Sequence, residues 1–192
     1  PQKSHKGSIT NVNLTRNSVI KFENVSFSYP GSERMVLNNV NLTIKTGEKL
    51  CIVGENGAGK STFIKLLTRL YEPTEGNITI DGININEIDY KTYQKIFSTV
   101  FQDFAIFSLS LSENIIMDDE VDNKKLNGVV HQTKLSDLVS KLERGYDTIL
   151  DKDIDEHGIQ LSGGEGQKMA ISRALYHGGE IYILDEPTAA LD

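Results

Sequence analysis

The chain has 192 residues, 38% of them apolar and 24% charged, which suits one sizeable globular core or two small ones. With 20 Lys and Arg against 27 Asp and Glu, the net charge is -7 and the pI about 5.1, the wrong sign for a general nucleic-acid binder. No window approaches the roughly 20 apolar residues that span a bilayer, the opening stretch lacks the apolar core of a signal peptide, and the single cysteine, Cys51, excludes a disulfide within the chain.

Residues 1–18 are polar and aperiodic and are predicted to be a linker or tail, and the start at Pro1 without Met points to a piece of a longer protein. Ile20 and Phe22, then Val25, Phe27 and Tyr29, give two short alternating stretches ended by Pro30-Gly31, the pattern of half-buried antiparallel strands joined by turns. A further strand is predicted over 40–44. The continuous apolar run Leu50-Cys51-Ile52-Val53 predicts a buried strand with Cys51 as a small buried side chain. Phe63, Leu66, Leu67 and Leu70 then recur at helical spacing until Glu72-Pro73 stops them. Strands are predicted at 78–80 and 97–101. From about 104 to 160 the chain is polar and mostly helix-like, with Leu126, Val129 and Val130, then Leu135, Leu138 and Leu142, on helical faces. A second helical pattern begins at Ser162, and the short, partly β-branched run 181–184 predicts a fully buried strand.

Gly54-Glu55-Asn56-Gly57-Ala58-Gly59-Lys60-Ser61 fits G-x-x-x-x-G-K-S/T between a predicted strand and a predicted helix, the context the pattern requires. Its glycines let successive N–H groups face inward, and the positive end of the following helix adds to an anion cradle that extends to Thr62. Lys60 would reach the β- and γ-phosphates, and the Ser61 hydroxyl would be a magnesium ligand. Asp185 and Glu186 end the apolar run 181–184, at the strand edge where open α/β sheets bind ligands. Asp185 would hold the metal, directly or through water, and Glu186 would orient and polarise the attacking water.

Leu161-Ser162-Gly163-Gly164-Glu165 resembles the LSGGQ signature of ATP-binding-cassette (ABC) ATPases. Physically, Ser162 and Glu165 spell a capping box, so Ser162 would be the N-cap of a helix through Met169, Ala170, Arg173 and Ala174. The resemblance runs from Val19 to Asp192. It implies an α/β fold: a P-loop NTPase core with a parallel central sheet, an N-terminal antiparallel β-subdomain and an inserted helical subdomain. The implied division is a linker at 1–18 and an ABC ATPase domain at 19–192, with 19–103 and 165–192 forming the core and 104–164 the helical subdomain. It further implies that Tyr29 stacks on adenine, that Gln102 senses magnesium and the attacking water, and that Ala190-Leu191-Asp192 is the D-loop. Ser162, Gly163, Gly164 and Glu165 would touch the γ-phosphate held by a second ABC ATPase domain, two ATP molecules being sandwiched in a head-to-tail dimer.

Glu156, in Asp155-Glu156-His157-Gly158-Ile159-Gln160, is similar to the glutamate that exporters set against their transmembrane coupling helices. Gly145-Tyr146-Asp147-Thr148 and Phe107-Ser108 with Glu113-Asn114-Ile115 are also exporter-like. The implied protein is thus an ATPase domain powering export, with ATP and Mg2+, transmembrane domains as partners, and a place on the cytoplasmic face of the cell membrane. Contact with the membrane would come only through those domains. Two departures stand out: Glu165 replaces the usual glutamine, and the chain stops seven residues after Asp185, before the family's switch histidine. None of His5, His131, His157 or His177 takes that place, so this length of chain is expected to bind nucleotide and hydrolyse it weakly or not at all. The alternatives are a soluble ABC ATPase acting on nucleic acid or ribosomes, against which the acidic pI and the lack of a coiled-coil insertion argue, an importer subunit, and a nonhydrolytic regulatory module, which Glu186 disfavours.

Overall fold

A computed structural model describes residues 7–118 and 120–185. They divide at Phe97/Ser98 into two compact units.

The first unit is built on an antiparallel sheet of four strands, β1 (Val19–Ser28), β2 (Met35–Lys45), β3 (Glu75–Ile80) and β4 (Ile83–Asn84), in the order β2-β1-β3-β4. The two alternating stretches predicted at its start are one strand. Buried side chains fall at Ile20 and Phe22, then at Val25 and Phe27, so the alternation changes phase at Glu23-Asn24. The pairing of β1 with both neighbours shifts register there, and Asn24 has φ 52°. An extra residue at a bulge moves the following side chains to the other face, which a period-2 reading takes for a strand break. The bulge depends on Gly76 across the pair, where a Cβ would lie 2.3 Å from the Asn24 carbonyl oxygen and 2.4 Å from that of Glu23.

Helix α1 (Lys60–Leu67) lies on this sheet, with Phe63 stacked on Phe22 at 4.5 Å between ring centroids. It is shorter than its apolar spacing predicts. Arg69 takes φ 57° and turns the chain back, so that Leu70 N–H donates to the Lys65 carbonyl and Leu70 stays exposed. Side chains from α2 (Tyr90–Gln94) complete the end of α1: Tyr93 Oη donates to the Leu67 carbonyl at 2.5 Å and Gln94 Nε2 to that of Thr68 at 2.7 Å.

Two expectations for this unit are corrected. The run Leu50-Cys51-Ile52-Val53 forms no strand, Cys51 is exposed, and Leu50, Ile52 and Val53 are 50%, 39% and 85% exposed. A strand apolar on both faces is stable only between neighbours, and neither sheet among the described residues supplies one. Residues 7–18, read as a tail, are held against the sheet. Ile9 bridges Ile88, Gly7 packs so closely on Ile88 that a Cβ would clash, and the Thr46 hydroxyl donates to the Thr15 carbonyl.

In the second unit, α3 (Leu111–Ile116), α4 (Asn123–Gln132), α5 (Ser136–Val139) and α6 (Gly163–His177) surround a core that includes Leu111, Ile115, Leu126, Val130, Leu135 and Met169. The helical spacing of 126–142 is therefore a true core face. The remaining strands, β5 (Phe97–Val100) and β6 (Ile181–Leu184), form a two-stranded sheet. Gly179 N–H donates to Ser98 Oγ and Asp185 N–H to the Val100 carbonyl, a pairing that advances in the same sense along both strands and is therefore parallel. Strand β6 is not fully buried as predicted: Ile183 is inside, while Tyr182 and Leu184 are about half exposed, because β5 is its one partner strand among the described residues and α6 packs Ala170 and Ala174 towards Val100. No helix among the described residues is long and apolar enough to cross a membrane.

Gly76→Ala is expected to destabilise the chain by about 2–5 kcal/mol, adding left-handed strain to overpacking. Urea midpoints measured by circular dichroism test this, and an unchanged midpoint would show that the bulge tolerates a side chain.

Candidate nucleotide site

Residues 54–58 are exposed and lead into α1 through Gly59, its N-cap, at φ 95° and ψ 7°. Gly57 has φ 82°, so both glycines take a backbone that L side chains avoid. Gly59 is doubly constrained, because a Cβ there would meet Leu37 Cδ2 at 2.9 Å and the Val36 carbonyl oxygen at 3.2 Å. Among the described residues no side chain caps α1, and no acidic residue stands in its first turn. The first amide groups of a helix have no intrahelical acceptor, so the start of α1 is positive. Lys60 adds to this charge. Its Nζ donates to the carbonyls of Gly54 at 2.9 Å and Glu55 at 3.2 Å, which folds the ammonium over the loop. Glycine backbone, the amides of a helix start and an ammonium on one exposed loop fit a polyphosphate.

Tyr29 follows β1, and its hydroxyl lies 3.0 Å from Thr62 Oγ1 in the first turn of α1. Thr62 is buried and Ser61 half-buried. The aromatic side chain and the phosphate loop, 33 residues apart in sequence, are thus tied together within the first unit.

Within the second unit, Asp185 and Gln102 both follow the same end of the parallel pair. Asp185 is buried just after β6 and donates its N–H to the Val100 carbonyl at 2.9 Å, while Gln102 is exposed in the turn that leaves β5. Glu186 and Ala190-Leu191-Asp192 lie outside the described residues.

The loop after Gln102 is fastened to α6. Arg173 donates through Nε to the Asn114 carbonyl at 2.7 Å and through Nη1 to that of Ala105 at 3.1 Å. Fully buried Asn114 accepts from Phe107 N–H at 2.9 Å and donates to the carbonyls of Phe107, Leu109 and Ser110 at 2.9, 3.2 and 3.0 Å. Gly166 leaves room for Phe104 and Ile106, whose side chains lie 3.2 and 3.0 Å from where its Cβ would be. The exporter-like sequences at 107–108 and 113–115 therefore have a physical role in holding this loop. So does 145–148: the Tyr146 hydroxyl donates to Asn127 Oδ1 at 2.7 Å, and Leu111 N–H donates to the Thr148 carbonyl at 3.0 Å. Composition alone did not reveal the Asn114 network, since a polar residue inside an apolar helix reads as surface until its partners are known.

The capping box read from 162–165 is present. Ser162 N–H and Oγ–H both donate to Glu165 Oε2, at 2.9 and 2.6 Å, and Glu165 N–H returns to Ser162 Oγ at 3.4 Å. The Ser162 hydroxyl chiefly, with its amide, holds the Glu165 carboxyl below the ordinary value. The same box opens α3 with Ser110 and Glu113, again with a lowered carboxyl. Glu156 is exposed, its Oε1 3.5 Å from His157 Nε2, and His131, His157 and His177 are all exposed.

A family model described as ABC transporter matches residues 37–189. The chain belongs to the ABC transporter family. Two curated relatives at about this level of similarity are the subtilin transport ATP-binding protein SpaT of Bacillus subtilis, 44% identical over 90% of this chain and 28% of its own, and the mitochondrial iron-sulfur clusters transporter ATM1 of Candida glabrata, 40% identical over 90% of this chain and 23% of its own. A solved bacterial Atm1-family ABC exporter with ATP bound superposes with a TM-score of 0.86 at 34% identity, covering 96% of this chain and 32% of that one. The chain thus spans about a quarter to a third of the length of these three proteins. An ABC domain carries ATP binding with it, and the fold that the resemblance implied is that of the exporter ATPase.

Asn114→Ala is expected to cost about 2–4 kcal/mol, because several buried backbone groups lose their partner. Heat or urea unfolding measures this, and a loss under about 0.5 kcal/mol, the range of an ordinary surface substitution, would contradict it. The two capping boxes also set a pH dependence. Glu113 and Glu165 lie below the ordinary glutamate value of 4.5, so folding favours their ionised forms. Their contribution is complete above that value and is lost as pH falls through the lowered folded values. Urea midpoints between about pH 6 and pH 3 should fall, and the Ser110→Ala/Ser162→Ala double variant should show a shallower fall. Equal slopes for the two proteins would mean that other carboxyls govern acid sensitivity.

Proposed function

We propose that this chain is the ATP-binding and ATP-hydrolysing domain of an exporter, working on the cytoplasmic face of a cell membrane and driving transmembrane domains of the same transporter. The observation that carries the reading is the uncapped, acid-free start of α1 behind an exposed glycine loop whose lysine folds over it. That charge pattern suits a triphosphate, and the named relatives supply the transport context.

In this reading the amides from Gly57 to Thr62 and the Lys60 ammonium bind the β- and γ-phosphates, and Tyr29 stacks on the base. Ser61, Gln102 and Asp185 would hold Mg2+, which supplies charge neutralisation to the phosphates when bound. Glu186 would take the proton side of the attacking water, and Gln102 would orient it. Ser162, Gly163, Gly164 and Glu165 would face the nucleotide of a second ABC ATPase domain across a two-fold axis. ATP binding then favours the closed pair, and loss of the γ-phosphate releases it. Exposed Glu156 is the residue this reading places against the transmembrane domains.

In the full-length protein, Lys60→Ala should weaken Mg-ATP binding by about 10- to 100-fold through loss of charge-assisted hydrogen bonds. Glu186→Gln should keep binding and slow turnover by roughly 10²- to 10⁴-fold. Calorimetry and phosphate release measure the two effects. Binding by Lys60→Ala at the parent affinity, or unimpaired turnover by Glu186→Gln, would overturn the assignment.

A further inference from the structure

Tyr29 does not stand alone beside the phosphate loop. Its ring meets Tyr71 edge-on, with centroids 5.2 Å apart and planes at 90°, and meets Phe27 at 5.0 Å and 79°. Phe27 and Tyr71 meet each other at 5.5 Å and 63°, so the three rings form a closed triangle of tilted contacts. The hydroxyl end of Tyr29 is tied to Thr62 at 3.0 Å. Ring edges are positive and ring faces negative, so tilted contacts at this separation are attractive and resist rotation of the ring.

Both ends of Tyr71 are positioned by the backbone. The left-handed turn at Arg69 brings the Tyr71 N–H back to the Lys65 carbonyl at 3.3 Å. Three residues later Thr74 is sewn to β1, its N–H donating to the Ser26 carbonyl at 2.9 Å and its hydroxyl accepting from Ser28 N–H at 3.1 Å. Lys65 Nζ lies 6.0 Å from the centre of the Tyr29 ring, at the outer limit of a cation–π contact. One face of that ring is therefore met by the Lys65 ammonium. A flat aromatic base taking this face would displace the Lys65 ammonium.

We propose that Tyr71 is a positioning residue for the nucleotide base: it holds Tyr29, with Phe27 and Thr62, as a fixed stacking platform and so sets how far binding depends on the base. This rests on the reading of Tyr29 as the stacking residue. A side chain free to turn about its χ angles loses rotamer freedom when a ligand stacks on it, and a platform already fixed does not. Tyr71 touches neither base nor phosphate in this scheme. Its removal lowers affinity for ATP and leaves affinity for the bare phosphate chain alone.

The experiment measures dissociation constants of the full-length protein for Mg-ATP and for Mg-tripolyphosphate, which carries the phosphates and no base. Tyr71→Leu should weaken ATP binding by roughly 2- to 10-fold, the range expected for loss of an aromatic pair, with tripolyphosphate unchanged. Tyr71→Phe, which keeps the ring, should match the parent. In a Tyr29→Ala background, Tyr71→Leu should have no further effect. If Tyr71→Leu weakens both ligands alike, or neither, while Tyr29→Ala selectively weakens ATP, the platform role is wrong and the stacking role stands. If Tyr29→Ala leaves the ratio of the two constants unchanged, the stacking role itself fails and the proposal fails with it.

Discussion

The constraint on which the nucleotide site depends is that a loop must keep its amides uncovered while the helix it feeds stays anchored. Glycine at 57 and 59 gives the backbone the required conformation. The anchoring is done elsewhere: Phe63 stacks on Phe22, Gly59 presses on β2, and the far end of α1 is closed by Tyr93 and Gln94. Because the helix is held by its apolar face and its C-terminus, its first turn needs no cap of its own. An unmade cap ordinarily costs about 1 kcal/mol, and here it leaves the helix start available to an anion.

The second unit solves the opposite problem. Helices α3 and α6 both begin with a Ser-x-x-Glu box, so the N-cap amide and the amide of the box glutamate are satisfied within the first turn of each. Arg173 then joins α6 to the loop after Gln102 through the carbonyls of Ala105 and Asn114, with its guanidinium 5.4 Å from the Phe107 ring centre. A planar cation with several fixed donors suits this task, since one side chain satisfies backbone groups on separate segments. The loop that carries Gln102 is thereby fastened to the helix that carries the signature.

The parts of the fold that were legible in the sequence are those fixed by local chemistry. The glycine turn that feeds α1, the Ser162 cap and the core faces around Leu126 and Leu135 depend on residues within a few positions of one another, and each is where the spacing put it, although no strand precedes the glycine turn. What was misread depends on distant partners. The change of phase at Asn24 needs Gly76, some fifty positions on, and looks like a strand break without it. The docking of residues 7–18 is invisible in polar, aperiodic sequence because it rests on backbone groups around Ile88. Apolar content at 50–53 reads as a buried strand, but pattern alone cannot supply the neighbours that would make it one, and the segment is exposed coil. The tie between Tyr29 and Thr62 could have been suspected from the phosphate loop, although nothing in the local sequence points to it.

The glutamate at 165, where the family has glutamine, shows how local chemistry limits what a substitution changes. Either side chain can accept the Ser162 amide, so the box is available to both, and the carboxylate gains from the positive end of α6. A carboxylate near a proposed γ-phosphate contact would add repulsion between like charges. Here Glu165 spends its charge on two short hydrogen bonds from Ser162, and the positive charges of Lys168 and Lys141 act on it as well. The field leaving this corner is therefore weaker than one unpaired carboxylate would give. That pairing makes glutamate compatible with an anion site at a helix start, since the negative charge is taken up within the turn that carries it.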